Sequence, residues 1–239
     1  MDVILTTKCN LKCSECCYLF NKYKQGENLD VDVVINNMEK IKPVIIQHQL
    51  LSIIGGETFL YPDLVKVVKY VATIPDIQCT IFTNGTIYPG YIKELCRAMQ
   101  KGRFHVMIGG YGNPEVVEKL QTIFTKYNIS HVVRPNDGLG WIHHGEFIDH
   151  QEEKTHFCDF RYLTLMKNRV YACGRFAQAV NLGLIDIEEL TEDEYVDLDD
   201  EFLLEKLAIM TEESFYKFTS TCKYCLRGSD KGSGIAQGS

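Results

Sequence analysis

Three cysteines near the start of the chain form its clearest chemical motif. Cys9, Cys13 and Cys16 stand in a C-x3-C-x2-C arrangement. This spacing supplies three thiolates, whereas a 4Fe–4S cube ordinarily takes four. One iron is thereby left open for a small chelating molecule, and metal sites that keep an open position tend to be reactive sites. A zinc site and a set of buried structural thiols are the alternatives for this triplet.

A second group of cysteines occupies the last third of the chain. Cys158, Cys173, Cys222 and Cys225 are separated by 14, 48 and 2 residues. Four cysteines with a terminal C-x2-C indicate a metal site ligated by thiolates alone, which suits an iron–sulfur cluster or a zinc ribbon. Because the chain shows no export signal, its ten cysteines favour metal binding over disulfides.

The elements that must position these residues follow an alternating pattern over the first 135 residues. Short β-branched runs alternate with amphipathic helices, which predicts βαβ units on a parallel sheet. Parallel strands joined by right-handed crossovers close into a full or partial barrel, so an α/β, partial TIM-like barrel is expected. The predicted strands are Val3–Thr7, Leu50–Ile54, Cys79–Thr83, His105–Ile108 and His131–Arg134.

The clearest predicted helix is Asn113–Tyr127. Asn113 is its expected N-cap and Pro114 its first helical residue. Pro62–Thr73 and Pro89–Gln100 are likewise predicted to begin with proline at a helix start. The apolar stripe of the first of these helices comprises Val116, Val117, Leu120, Ile123, Phe124 and Tyr127.

After Arg134 the alternation stops. Residues 135–157 are predicted to form a long loop with at most a short strand, and such loops are usually functional or disordered. Tyr162–Met166 and Arg169–Cys173 predict a small hairpin. Asp186 to Glu201 carries ten acidic side chains and no Lys or Arg, which predicts a solvated loop and a helix start. The expected domains are 1–157, a small α+β domain at 158–228, and a disordered tail at 229–239.

Three motifs follow three successive predicted strands. Cys9–Cys16 follows the first, Gly55-Gly56-Glu57 the second and Thr83-Asn84-Gly85 the third. Barrels of this kind place their active sites at the C-terminal ends of the strands. Through the cysteine loop and Gly-Gly-Glu, the chain resembles the radical S-adenosylmethionine (SAM) superfamily over about residues 2–135.

The resemblance implies a cofactor chemistry. In that family the three thiolates hold a 4Fe–4S cluster whose open iron takes the amino and carboxyl groups of SAM. The reduced cluster then cleaves SAM to a 5′-deoxyadenosyl radical, which abstracts hydrogen from an unactivated C–H bond.

The resemblance also implies a set of SAM contacts. Gly55 and Gly56 let the backbone approach the methionine amino group, and Glu57 offers that ammonium a carboxylate. Glu15 stands where the family usually has an aromatic residue, and Gly110 follows the fourth strand where many relatives have a polar side chain. The predicted SAM-binding residues are Glu15, Gly55, Gly56, Glu57, Thr83, Asn84 and Gly110.

Beside such a barrel, the second cysteine group resembles the twitch domain, a shortened SPASM extension. The resemblance implies that its four thiolates hold an auxiliary 4Fe–4S cluster, which would move electrons because it has no open iron. Residues 158–183 resemble the sugar-associated branch, whose best-known member oxidises a secondary alcohol of an aminocyclitol.

The leading hypothesis is therefore dehydrogenation of a carbinol in a sugar or aminocyclitol, with the auxiliary cluster accepting an electron. Epimerisation with a thiol such as Cys17 as hydrogen donor, and modification of a ribosomal peptide, are alternatives. A plain iron–sulfur or zinc module would leave Gly-Gly-Glu unexplained. Candidate catalytic residues are Cys17, Arg134 and His143, and candidate substrate contacts are Trp141 and Arg175.

Charge and the N-terminal sequence limit the partners. The net charge is −7, from 25 basic and 32 acidic residues, which argues against nucleic acid or an anionic membrane. No signal peptide or membrane span is evident in the sequence, so a cytoplasmic location is expected. The expected partners are a small sugar-like substrate and a reducing flavodoxin or ferredoxin system.

Overall fold

The structure is a computed structural model that describes residues 1–135, 144–151, 158, 162–214 and 218–226. The chain divides into two compact units, Met1–Asn10 with Gln25–Asn136, and Leu11–Lys24 with Asp137–Ser239. The boundary predicted at residue 157 stays a prediction, and the tail at 229–239 lies outside the described residues. No helix in the described ranges combines the length and apolar character needed to cross a membrane.

The first unit is a five-stranded parallel sheet with helical crossovers. Its strands are ordered β5-β4-β3-β2-β1, and each neighbouring pair is parallel. This arrangement confirms the predicted α/β fold of partial-barrel type. Its elements are β1 (Asp2–Ile4), α1 (Val31–Lys40), α2 (Lys42–His48), β2 (Leu50–Ile54), α3 (Leu64–Val71), β3 (Gln78–Thr83), α4 (Ile92–Met99), β4 (Arg103–Gly109), α5 (Pro114–Lys126) and β5 (Ser130–Arg134).

An apolar row across the sheet fixes its register. Val3 pairs with Ile53, Ile53 with Ile81, and Ile81 with Val106. All four side chains are completely buried. A shift by one residue would turn this row to the opposite face of the sheet, so the β-branched runs set the alignment of the strand ends.

Helix α5 forms as the sequence predicts. Asn113 caps it by accepting a 2.9 Å hydrogen bond from the Glu115 amide, and Pro114 is its first residue. Leu120, Ile123 and Phe124 are its buried residues. The cap and the apolar stripe both come from local sequence, which is why this helix is predictable.

Helices α3 and α4 begin later than predicted. They start at Leu64 and Ile92, two and three residues after the prolines expected to open them. The Leu64 amide bonds the Tyr61 carbonyl at 3.4 Å, and the Ile92 amide bonds the Pro89 carbonyl at 3.1 Å. Each proline therefore lies in a preceding turn.

The second unit contains a three-stranded antiparallel sheet and two longer helices. Leu165, Val170 and Val196 pair in a buried row across β6, β7 and β8. The predicted hairpin is confirmed, with Lys167 at φ 53° in its turn. The elements are β6 (Thr164–Met166), β7 (Arg169–Tyr171), α6 (Gly174–Asn181), β8 (Tyr195–Asp197) and α7 (Leu203–Ser214).

The acidic stretch differs from its prediction. Strand β8 lies inside it, and Glu194 is only 1% exposed. Its carboxylate accepts hydrogen bonds from the Thr191 amide at 2.9 Å and the Thr221 amide at 3.3 Å. The high density of charge predicted that these side chains would all be solvated. Glu194 is buried instead, because these hydrogen bonds satisfy its carboxylate.

Candidate functional site

In the first unit, the segment after β2 is bonded to the segment after β1. The Gly56 amide donates to the Thr6 carbonyl at 2.9 Å, and the Glu57 amide donates to the Lys8 carbonyl at 2.8 Å. These bonds continue the pairing of β1 and β2 beyond the strands themselves. Gly-Gly-Glu is thereby held beside the backbone that leads into Cys9.

The two glycines are required by this close approach. A Cβ on Gly55 would lie 2.8 Å from Thr6 Cγ2, and a Cβ on Gly56 would lie 2.3 Å from the Lys8 carbonyl oxygen. Both distances are too short for carbon–carbon or carbon–oxygen contact, so a larger residue must displace backbone. The glycines therefore serve the packing of one loop on the other in this structure.

Glu57 is a buried carboxylate with three hydrogen-bond donors. Its Oε1 accepts from Thr83 Oγ1 at 2.7 Å and from the Phe59 amide at 2.8 Å. Its Oε2 accepts from the Asn84 amide at 2.7 Å. Burial raises the pKa of Glu57, while the bonds from Asn84, Thr83 and Phe59 act in the opposite direction. Glu57 thus ties the end of β2 to the end of β3.

A polar triangle joins the cysteine loop to the end of β3. Asn84 Nδ2 donates to Asn10 Oδ1 at 2.9 Å, and Asn10 Nδ2 donates to Thr86 Oγ1 at 2.7 Å. Thr86 Oγ1 donates to Asn84 Oδ1 at 2.6 Å. Asn10 and Thr86 were not predicted as site residues. Asn10 lies between the first two cysteines, which is the signal in the sequence that could have identified it.

The ends of β4 and β5 meet through their backbones. The Gly110 amide donates to the Arg134 carbonyl at 2.8 Å, and Gly109 pairs with Arg134 in the ladder. The Arg134 side chain is exposed. In this unit the structure therefore brings together Gly55, Gly56, Glu57, Thr83 and Asn84, and it places Gly110 with Arg134.

In the second unit, the chain turns tightly after Cys16. The Leu19 amide donates to the Cys16 carbonyl at 3.0 Å, and Leu19 adopts φ 58°. Burial raises the pKa of the Cys16 thiol, and the backbone amides of Phe20, Tyr18 and Asn21 act in the opposite direction. Amide groups directed at sulfur stabilise a thiolate, so this turn suits a cysteine that ligates metal.

The second cysteine group forms part of a small core. Cys173 and Cys222 pack together with Phe176, and Phe147 and Phe218 lie against them. Burial, followed by the charges of Cys158 and Cys225, raises the pKa of Cys173 to about 12. The Thr219 amide donates to Cys222 Sγ at 3.4 Å. The four predicted ligands therefore lie in one region of the second unit.

These sulfurs do not form a ready-made ion site. Within the described ranges, no group of three or more His, Cys, Asp or Glu side chains is arranged to hold a metal ion. The assignment of Cys9, Cys13 and Cys16, and of the C-terminal four, to clusters stays a prediction. The cysteine sulfurs and the backbone amides beside them are nevertheless the chemical groups that such clusters require.

A cavity of about 320 Å³ in the second unit is lined by Glu15, Cys16, Asn21, Lys22, Glu146 and Arg175, among others. Arg175, in the first turn of α6, is 2% exposed. Its Nη2 donates to the Gly145 carbonyl at 2.7 Å and its Nη1 to the Cys17 carbonyl at 3.4 Å. Glu15 Oε2 accepts from the His144 amide at 3.3 Å. The predicted residues Glu15, Cys16 and Arg175 thus share one cavity.

The remaining predicted residues are placed less completely. Cys17 is half-buried, and its carbonyl bonds Arg175. Trp141 and His143 lie outside the described residues. Asn21 was not predicted, and nothing in its sequence context distinguishes it from other surface asparagines.

Comparison with known proteins establishes the family. The model of the Radical SAM superfamily matches residues 3–133, which is more than half of the chain. The chain belongs to the radical SAM superfamily. Members of this superfamily are enzymes that use a 4Fe–4S cluster and SAM, so the loop that begins at Cys9 belongs to a cofactor-binding fold.

A solved structure shows the same fold as this radical SAM protein. The crystal structure of BtrN in complex with AdoMet and 2-DOIA matches with a TM-score of 0.57 and 15% sequence identity. The match covers 94% of this chain and 91% of the other. No curated protein matches the radical SAM chain by sequence.

Proposed function

We propose that this radical SAM enzyme oxidises a carbinol carbon of a sugar or aminocyclitol. The main observation that supports this proposal is the packing of Gly55-Gly56-Glu57 against the backbone segment that precedes Cys9. Two hydrogen bonds and two crowded glycines fix that arrangement. A motif loop held in this way at the carboxyl edge of a parallel sheet supports cofactor chemistry there.

Cys9, Cys13 and Cys16 would hold the SAM-binding cluster. Cys158, Cys173, Cys222 and Cys225 would hold the auxiliary one. When bound, these groups and SAM would supply the hydrogen-abstracting radical and an acceptor for the released electron. The protein contributes backbone amides near two of these sulfurs: those of Phe20, Tyr18 and Asn21 oppose the burial that raises the pKa of Cys16, and that of Thr219 donates to Cys222 Sγ.

Glu15, Gly55, Gly56, Glu57, Thr83, Asn84 and Gly110 are the proposed surroundings of SAM. In the first unit, Glu57 positions Thr83 and Asn84, because its carboxylate bonds both of them. We assign Glu57 this positioning role in addition to the contact inferred from the family.

The proposed substrate class has support from the fold comparison. BtrN was crystallised with AdoMet and 2-DOIA, and its fold matches almost the whole of this chain. The C-terminal cysteines add support, since an oxidation that begins with a radical must release one further electron. A zinc site at these cysteines would leave that electron without an acceptor in the second unit.

Epimerisation is the second candidate. Cys17 is half-buried and adjacent in sequence to the predicted ligand Cys16, and a thiol can return hydrogen to a carbon radical. Solvent deuterium at an inverted carbon, with no ketone formed, would establish epimerisation. A ketone formed with one SAM consumed per product would establish dehydrogenation.

Anaerobic reconstitution tests the proposal. We expect about eight iron atoms per chain, about four for each cube, and 5′-deoxyadenosine after reduction with flavodoxin or dithionite. About four iron atoms with one zinc would replace the auxiliary cluster by a structural site. No 5′-deoxyadenosine from the reduced, iron-loaded protein would reject the proposed function.

The proposed partners are a flavodoxin or ferredoxin reductant and a soluble small molecule. The excess of acidic residues, with a net charge of −7, supports the absence of nucleic acid and anionic membrane from this set. A cytoplasmic location is proposed because thiols are kept reduced there, as thiolate-ligated clusters require.

A further inference from the structure

The cavity of the second unit contains a buried cation without a carboxylate partner. Arg175 is 2% exposed, and its two described hydrogen bonds go to the neutral carbonyls of Gly145 and Cys17. Among the described residues it forms no ion pair. The guanidinium also lies over the Phe147 ring, 5.8 Å from its centroid, which offsets only part of the cost of burying a charge. A guanidinium stays charged at any ordinary pH, so an anion in the cavity would complete the arrangement.

Two buried polar atoms in this cavity also lack hydrogen bonds. Arg175 Nε and Asn21 Oδ1 have no partner among the described residues. Asn21 Nδ2 donates to the Ser14 carbonyl at 3.4 Å, which fixes the orientation of the amide. The cavity therefore offers one unused donor and one unused acceptor. Buried polar atoms are otherwise almost always satisfied.

Neither of the described carboxylates that line the cavity, Glu15 and Glu146, forms an ion pair with Arg175. Glu15 bonds the His144 amide, and Glu146 is exposed. Lys22, also exposed, adds a second positive charge to the wall. An incoming oxyanion would accept from the Arg175 fork, and a neighbouring hydroxyl would donate to Asn21.

We propose that this cavity binds a hydroxylated anion, and that the substrate of the enzyme carries a carboxylate or phosphate. That the bound molecule is the substrate rests on the proposed function; that the cavity binds an anion does not. The volume of about 320 Å³ suits a monosaccharide-sized ligand. Because Cys16 lies in the same wall, the molecule would sit beside a predicted ligand of the SAM-binding cluster.

Calorimetric titration of the oxidised, reconstituted holoprotein with SAM present tests the proposal. The probes are D-glucuronate, D-glucose 6-phosphate, neutral D-glucose and cationic D-glucosamine. We expect one of the two anions to bind at least about tenfold more tightly than glucose, as a charge-assisted pair provides. Whichever anion binds distinguishes a carboxylate from a phosphate. Equal binding of all four sugars, or none, overturns the proposal.

Substitution then locates the effect. R175Q should weaken binding of the preferred anion by about 10- to 100-fold, and R175K should weaken it less because the charge remains. R97Q removes an exposed positive charge from α4 and should leave the affinity unchanged. If R175Q does not fold, N21D provides the test: added negative charge should weaken anion binding and strengthen glucosamine binding. Unchanged anion binding in R175Q or N21D overturns the proposal.

The carboxylate of SAM is a second possible source of the anion. R175Q should leave the dissociation constant of SAM as in the wild-type protein. If SAM binding weakens instead and sugar binding does not, the site belongs to SAM and the proposal is overturned. If the wild-type protein fails to cleave SAM, the proposed function is rejected but the anion site is not. The two outcomes are separable because anion binding to the wild-type protein and to R175Q is measured without turnover.

Discussion

Because Gly56 is closely surrounded, adding a single methyl group in Gly56→Ala should disturb the segment that leads into Cys9. In Gly56→Ala the added Cβ would meet the Lys8 carbonyl at 2.3 Å and Cys9 Cβ at 2.8 Å. We expect a loss of about 1–3 kcal/mol in the free energy of unfolding, together with reduced iron content. Denaturant titration and iron analysis measure both.

Gly90→Ala is the matched control for this substitution. A Cβ there meets nothing within 4 Å, so stability should change by less than about 0.5 kcal/mol. Equal effects of the two substitutions would show that the distances at Gly56 do not limit the loop.

Glu57 gives the first unit a characteristic pH dependence. Because burial raises its folded pKa above the ordinary value of 4.5, the folded state retains the proton to higher pH than the unfolded chain. Its contribution is therefore full below about pH 4.5 and falls as the pH rises through the folded pKa. Denaturant titrations of the wild-type protein across this range should show that decline.

Glu57→Gln should remove the decline and cost about 1–3 kcal/mol, because an NH2 group then faces one of the three donors. Glu118→Gln, an exposed change on α5, is the control and should keep the wild-type pH profile. A wild-type profile in Glu57→Gln would contradict the assigned pKa shift.

Both cysteine groups lie in segments outside the strands and α-helices. A substitution of Thr86 tests how the segment of the first group is held. Thr86→Val removes the hydroxyl that accepts from Asn10 and donates to Asn84. We expect a loss of about 1 kcal/mol and faster release of iron to a chelator, because the segment after Cys9 is less restrained. Thr122→Val on the exposed side of α5 should change neither measurement.

Glu194 performs the corresponding role in the second unit, with the opposite pH dependence. Burial acts to raise its pKa, but bonds from Thr191, Thr219 and Thr221 lower it overall. Its stabilisation is therefore present above about pH 4.5 and is lost as the pH falls through the lowered folded value.

Glu194→Gln should cost about 1–3 kcal/mol and reduce iron retention at the C-terminal cysteines, because Thr221 precedes Cys222. Glu205→Gln, an exposed change on α7, is the control. If the variant keeps its full iron content and acid stability, Glu194 does not brace the C-x2-C segment.

On the scale of the whole molecule, removing cysteines separates the two predicted clusters. Cys16→Ala should abolish 5′-deoxyadenosine formation. Cys222→Ala should leave about four iron atoms and SAM cleavage while product formation stops. Cys96→Ala, at a buried helical position outside both groups, should retain all the iron. Retention of about eight iron atoms in Cys222→Ala would contradict the assignment of the auxiliary ligands.

The sequence predicted the features that depend on local patterns. The β-branched runs identify three strands, β2, β3 and β5, to within one residue at each end, and the Asn113 cap identifies α5. The starts of α3 and α4 were misplaced because a proline fits a preceding turn as well as a first helical turn.

Contacts between distant residues could not be predicted. Two of the three donors to Glu57, Thr83 and Asn84, come from the end of another strand, and Arg175 donates to carbonyls 30 and 158 positions away. Hydrophobic periodicity contains no information about such pairs. The strand β8 was missed for a related reason, since its acidic neighbour Glu194 is satisfied in part by Thr221, 27 positions away.

The two amides that bind the Gly-Gly-Glu segment to the first loop have a practical consequence. The Gly56 and Glu57 N–H groups donate to the carbonyls of Thr6 and Lys8, in the segment that immediately precedes Cys9. Their exchange with deuterated water would report local opening of that loop, since exchange requires the bonds to break. Isotope uptake at these two positions could therefore follow cofactor loading and loss without any spectroscopic signal from iron.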